Sequence, residues 1–167
     1  MVDVSGAGDH VEKVENKIKT VKERYRTVYD RLPYSLPGSL VKELVFYCVK
    51  RMNSEATVNS KDNICARVRM TGKRIEYAKE YKLGFGDYAE ARDPSAVSNS
   101  AEQQRTKAVI MLWPTGNIKG SWRAFSIATG KVVTQTQFVK LNTTDEVICS
   151  MNKWASKDKS PTLARLD

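Results

Sequence analysis

The stretch from Thr106 to Leu141, TKAVIMLWPTGNIKGSWRAFSIATGKVVTQTQFVKL, decides the fold. Three apolar-rich runs, Thr106 to Trp113, Ser121 to Thr129 and Val132 to Leu141, are separated by Pro114-Thr115-Gly116-Asn117 and by Thr129-Gly130-Lys131. Short runs rich in Val, Ile, Thr and aromatic residues between such turns read as strands joined by hairpins. A further run, Phe85 to Arg92, precedes them, and the polar segment 93–105 (DPSAVSNSAEQQR after Arg92) reads as an exposed loop. The expected product is a small antiparallel sheet or barrel. Asp145 to Ala155 reads as a short closing helix with Asn142 or Thr144 near its N-cap.

Upstream of Gly84 the texture is helical. Val11, Val14, Ile18, Val21, Tyr25, Val28 and Leu32 recur at alternating three- and four-residue steps, which predicts an amphipathic helix over about residues 10–31. Leu32-Pro33-Tyr34-Ser35-Leu36-Pro37-Gly38-Ser39 breaks it with two prolines, and Leu40, Val41, Leu44, Val45 and Cys48 restart a stripe that runs to about Met52. Residues 53–63 read as a polar connection, and Ile64 to Met70 as a short ordered segment ending at Thr71-Gly72-Lys73-Arg74. The fold class is therefore α+β, with helices first and a β-rich part after them.

Lys and Arg number 28 against 19 Asp and Glu, a formal charge of +9 and a pI near 9.5. Such a chain attracts polyanions, and DNA or RNA is the first partner to consider. Cys48, Cys65 and Cys149 are odd in number and widely spaced, and the single histidine, His10, has no cysteine near it in sequence. Neither a disulfide framework nor a structural zinc site is expected. No run approaches the roughly 18 apolar residues of a membrane span, so the default compartment is intracellular, cytoplasmic or nuclear.

On the first helix Lys19, Lys22 and Arg26 share one face about two turns long, suited to a phosphate backbone. Lys19 can instead pair with Glu15 at i,i+4, which adds only ~0.3 kcal/mol. In the β-rich part Lys107, Lys119, Arg123 and Lys131 stand near turns or strands with Trp113 and Trp122, and aromatic and basic residues together can stack on bases and neutralise phosphates. Trp113, inside the apolar run Val109 to Leu112, reads as core; Trp122, between Ser121 and Arg123, reads as the open ring.

Five landmarks in order carry a family resemblance: Val14-Glu15-Asn16-Lys17-Ile18-Lys19-Thr20-Val21-Lys22-Glu23-Arg24; Leu32-Pro33-Tyr34-Ser35-Leu36-Pro37; Leu83-Gly84-Phe85-Gly86-Asp87-Tyr88; Pro114-Thr115-Gly116-Asn117-Ile118-Lys119-Gly120-Ser121; and Thr129-Gly130-Lys131-Val132-Val133-Thr134 with Gln137-Phe138. Over about residues 8–156 the chain resembles the integrase segment of copia-type retrotransposon polyproteins. The resemblance implies that residues 1–75 are the last helices of an RNase H-like catalytic core, truncated. Residues 76–156 are then a small barrel resembling the src-homology-3 type with its closing helix, and residues 157–167 a polar tail.

In that family three carboxylates hold two Mg²⁺ ions for DNA strand transfer. The pattern places the third carboxylate on Glu15, with Glu12 as fallback, as a metal ligand only if the missing upstream carboxylates are supplied; Asp3 and Asp9 have no matching context. The expectation is a nucleic-acid-binding fragment that is not an enzyme alone and holds no Mg²⁺ of its own. Its competitors are a protein-interaction or self-associating module, possibly host-retained, and a remnant without function. Two departures from the family stand out. A Ser-Pro-Arg start is replaced by Cys65-Ala66-Arg67, and a Leu-Pro-Met-Pro-like run by Leu141-Asn142-Thr143-Thr144, which puts the local turns in doubt.

Overall fold

A computed structural model describes residues 7–56, 62–93 and 104–158, with side chains from residue 12 onward. The expected loop 93–105 and polar connection 53–63 lie partly, and Asp3 and the tail from 159 wholly, outside the described residues. Helix α1 spans Ala7–Tyr29, a single 3-10 turn Gly38–Leu40 leads into α2 at Val41–Ser54, and two short helices follow, α3 at Ala66–Thr71 and α4 at Tyr77–Glu80. Strands β1 Tyr88–Arg92, β2 Thr106–Pro114, β3 Trp122–Ser126, β4 Val132–Gln135 and β5 Phe138–Lys140 precede α5 at Asp145–Lys157. The mixed α+β class expected from the sequence is the class found. Helix α4 was not foreseen, and α3 begins at Ala66 after an extended Cys65. That is the first helical position, where proline is tolerated but not needed, so the loss of the family's proline leaves the helix start intact.

The run Val132 to Leu141, read as one strand, is two. Thr136 and Gln137 turn the chain, so that β4 pairs with β3 while β5 crosses to pair with β1. All pairings are antiparallel, in the order β4-β3-β2-β1-β5. This order forces curvature. In a flat sheet four strand spacings of about 4.8 Å would hold β4 and β5 about 19 Å apart, whereas the link between Gln135 and Phe138 reaches at most about 11 Å. The sheet curls until its two edges approach each other. The rings of Trp122 on β3 and Phe138 on β5 accordingly meet at 6.3 Å between centroids, and the Ser121 and Thr136 hydroxyls lie 3.2 Å apart.

Both faces of this curled sheet are apolar, which explains the uninterrupted run Val109-Ile110-Met111-Leu112. Val109 and Met111 face the concave side with Leu83, Ala89, Trp122 and Ala124. Ile110, Leu112, Tyr88 and Phe125 face outward into a second, larger cluster with residues of the helical half. Tyr25 from α1, Leu40, Leu44 and Tyr47 from the helical hairpin, and Val147 and Met151 from α5 all belong to that cluster. One core therefore draws on residues from both sides of the division expected between residues 75 and 76. The stripe of α1 divides in the same sense. Tyr25, Val28 and Leu32 are packed, while Val14 is 57% and Ile18 51% exposed, so the first half of α1 runs on past the core.

Candidate nucleic-acid interface

The loop between β2 and β3 is built to hold its shape. Thr115 N–H and its hydroxyl both donate to the Ser121 carbonyl at 2.9 Å. The Asn117 amide accepts from Ser121 N–H and donates to the Ser121 hydroxyl, each at 2.9 Å. Gly116 has φ +77, and a Cβ there would lie 2.5 Å from Nη2 of Arg67. The turn thus needs glycine twice over, for its left-handed backbone and for the close approach of the guanidinium. Arg67, from α3, is held in turn by both carboxylate oxygens of Glu80 in α4, its Nη2 donating at 3.0 Å. Glu80 is buried, and this hydrogen bond raises the Arg67 pKa.

Beside this pair the C-terminal turns of α2 bring up two more cations. Lys50 Nζ donates to the Pro114 carbonyl at 3.0 Å and lies 4.2 Å from the Trp113 ring centre. Partial burial, with Arg67 nearby, lowers its pKa, and Glu80 offsets this in part. The Arg51 guanidinium sits 4.0 Å over the Tyr81 ring. Among the described residues it makes no hydrogen bond or salt bridge; its charge is felt by Glu55, which is itself paired to Arg24 at 2.6 Å. Tyr47, Lys50, Arg51, Ser54, Arg67 and Glu80 line a small cleft closed by Tyr81 and Pro114. Three cations there face one carboxylate.

Exposed rings rim the same region. Phe46, one turn before Lys50 on α2, is 55% exposed and lies 6.3 Å from Trp113 between ring centres. Tyr77 is 58% exposed and lies 5.1 Å from Tyr81. Trp113 is half-buried, with its Nε1–H donating to the buried Glu43 carboxylate at 2.6 Å. Arg123 is half-buried and directly opposite Trp113 in the sheet register, on the same face. Lys119 is exposed in the β2–β3 turn at this end of the molecule.

The two tryptophan assignments made from the sequence are reversed. Trp122 is fully buried on the concave side of the sheet, its Nε1–H donating to the Lys79 carbonyl at 3.2 Å, so it presents no face to a base. Trp113 is the ring at the surface. The cause is a bulge in β2: Met111 pairs with Ala124 and Trp113 with Arg123, leaving Leu112 as an extra residue. One inserted residue reverses the alternation beyond it, which turns Trp113 out of the concave side and against α2.

The other expected residues do not all converge. Glu15, Lys19, Lys22 and Arg26 are exposed along one face of α1, lining a shallow concavity with Ile18 and Glu23. All six come from a single helix, and the Glu15–Lys19 pair is not formed. Lys107 is engaged by Asp93 at 2.7 Å. Lys131, exposed in the β3–β4 turn, belongs to the opposite end of the sheet, beside Gly130 and the Trp154 ring. No group of three or more Asp, Glu, His or Cys residues among the described residues is placed to hold a metal ion, and Glu15 stands on a solvent-facing helix surface. These residues do not fit the two-ion chemistry that the family resemblance implies. No helix among the described residues is long and apolar enough to cross a membrane.

Sequence reasoning missed Phe46, Lys50, Arg51 and Tyr77. One signal was present: Phe46 and Lys50 stand four residues apart, off the apolar stripe of α2, where an aromatic has no core to fill. The neighbours of Lys50 and Arg51 come from β2 and α4, and no local pattern announces them. No protein-family model, curated protein or solved structure matches this chain, so its surface is read from its own geometry.

Proposed function

We propose that this chain is a nucleic-acid-binding piece of a copia-type integrase polyprotein that does not catalyse strand transfer alone. The observation that carries the binding reading is the cleft in which Glu80 is taken by Arg67, leaving Lys50 and Arg51 without a carboxylate partner among the described residues, with exposed rings beside it. Unneutralised cations on a chain of charge +9 attract phosphates irrespective of sequence. The row Lys19, Lys22 and Arg26 adds a second basic surface. The finer ancestry rests on the five landmarks. The sheet order and the two-residue link between its edge strands are compatible with a small barrel of the src-homology-3 type in residues 76–156, and residues 1–75 are read as the last helices of an RNase H-like core. The division near residue 75 is one of origin, across which a shared core has been kept.

Titration of labelled DNA at several salt concentrations tests this. Affinity is expected to fall steeply and linearly on logarithmic axes; a flat response, or no binding at low salt, removes the reading. Catalysis is tested with Mg²⁺ or Mn²⁺ and element-end DNA, where turnover abolished by Glu15→Gln would overturn the non-enzymatic assignment. A second reading, self-association, is favoured by the exposure of Val14 and Ile18 on α1. Sedimentation of the full chain and of Ile18→Lys separates it: a salt-insensitive dimer lost in the variant supports that reading, and a monomer at all concentrations removes it.

A further inference from the structure

We propose that the surface around the cleft between α2, α4 and the β2–β3 turn selects single strands, with bases stacked on Phe46 and Tyr77 and the backbone phosphates on Lys50 and Arg51. This rests on the nucleic-acid reading and narrows it from any polyanion to strands whose bases are unpaired. Three observations carry it. First, Phe46 and Tyr77 keep more than half of their surface in water although each packs against a half-buried ring. A base pair hides its faces in its own stack, so only an unpaired base can use these rings.

Second, two adjacent cations stand between two pairs of rings, so that a strand whose phosphates meet the cations has rings on either side for its bases. Phe46 adjoins Trp113, Trp113 lies 4.2 Å from Lys50, Arg51 lies 4.0 Å from Tyr81, and Tyr81 adjoins Tyr77. Third, the cations are placed but not used up. Arg51 carries five N–H donors that no acceptor among the described residues takes, while Tyr81 fixes its plane. Lys50 is held by the Pro114 carbonyl at 3.0 Å and, at the limit of a hydrogen bond, the Thr115 carbonyl at 3.5 Å. An acidic peptide would satisfy the charges and leave the rings idle.

The test is fluorescence anisotropy of the full chain with labelled oligo-dT, oligo-U and a duplex of equal length, with polyglutamate as competitor. Phe46→Ala, Tyr77→Ala and Arg51→Gln alter exposed or half-exposed side chains, and Lys131→Gln serves as control at the far end; circular dichroism melts verify that each folds. Single strands are expected to bind more tightly than duplex, and each ring variant to lose about fivefold or more for single strands with duplex binding unchanged. Arg51→Gln is expected to weaken both and to reduce the salt slope by about one. Lys131→Gln is expected to leave the single-strand preference intact. Equal affinity for duplex with silent ring variants, or displacement by polyglutamate at matched charge, overturns the stacking site and leaves the nucleic-acid reading standing. Absence of binding to every oligonucleotide at low salt overturns both.

Discussion

Replacing Gly86 with alanine probes the joint between two of the sequence landmarks. Gly86 has φ +87, and a Cβ there would stand 2.3 Å from Leu32 Cδ2 and 3.2 Å from the Tyr34 hydroxyl. That hydroxyl donates to the Gly86 carbonyl at 3.0 Å in a buried position, while Gly86 N–H donates to Met111 at 2.8 Å. The Leu-Pro-Tyr loop after α1 is thereby locked onto the start of the sheet. Two costs add in the variant: about 1–2 kcal/mol for an alanine in a left-handed conformation, and about 1–3 kcal/mol for forcing a methyl into a packed site. The expected loss is about 2–5 kcal/mol. Gly72 supplies the control, since its φ is +67 but a Cβ there meets nothing within 4 Å, so Gly72→Ala pays only the conformational part, about 1–2 kcal/mol. Tyr34→Phe should cost about 1–3 kcal/mol by stranding the Gly86 carbonyl. Urea unfolding followed by far-ultraviolet circular dichroism, with a common slope, measures all three. If Gly86→Ala is no more destabilising than Gly72→Ala, the interlock between residues 32–34 and 84–87 is not there.

Three further outcomes are expected. In native protein at pH 8 a thiol reagent should label Cys149, which is exposed, and spare the buried Cys48 and Cys65 until denaturant is added; burial pushes the Cys48 thiol to about 11, leaving almost no thiolate to react, so rapid modification of three thiols would contradict the packing. Burial also raises the Tyr25 phenol to about 12, above an unfolded value near 10, so its contribution is complete below pH 10 and lost as pH climbs through 12. Because the Tyr25 hydroxyl is buried without a hydrogen-bond partner in the described structure, Tyr25→Phe should be neutral to about 1 kcal/mol stabilising at pH 7 and should flatten that alkaline loss, both read from urea midpoints against pH. Met151 is fully buried where α5 meets the sheet, and Met151→Ala is expected to cost about 2–5 kcal/mol, with a loss under 1 kcal/mol showing that α5 is only loosely attached.

The elements were legible because their signals are local. The alternating steps from Val11 to Leu32 gave α1, and the turns at 114–117 and 129–131 gave the hairpins β2–β3 and β3–β4. What could not be read depends on partners distant in sequence. The crossing of β5 to β1 turns on pairings such as Ala91 with Phe138, and no residue near Thr136 states which edge the chain will choose. The exchange of roles between Trp113 and Trp122 follows from one extra residue in β2, which the apolar run conceals because both faces of that strand are buried. The basic face of α1 was plain in the sequence, but the cleft at Lys50 and Arg51 exists only once α2 lies against β2 and α4. Charge could be counted from the sequence; its concentration beside open rings is a property of packing.

The link that joins the two edges of the sheet also sets a timetable for folding. β1 receives β5 as its second neighbour only after Phe138 to Lys140 have been synthesised, long after β1 and β2 are able to pair. Until then one side of β1 carries unanswered amide and carbonyl groups, a template for any extended chain nearby. The closing step is non-local and correspondingly slow. A ribosome that stalls or terminates before Phe138 therefore releases a chain with an open strand edge, and the cell meets it as an aggregation hazard rather than as a shortened copy of the same protein.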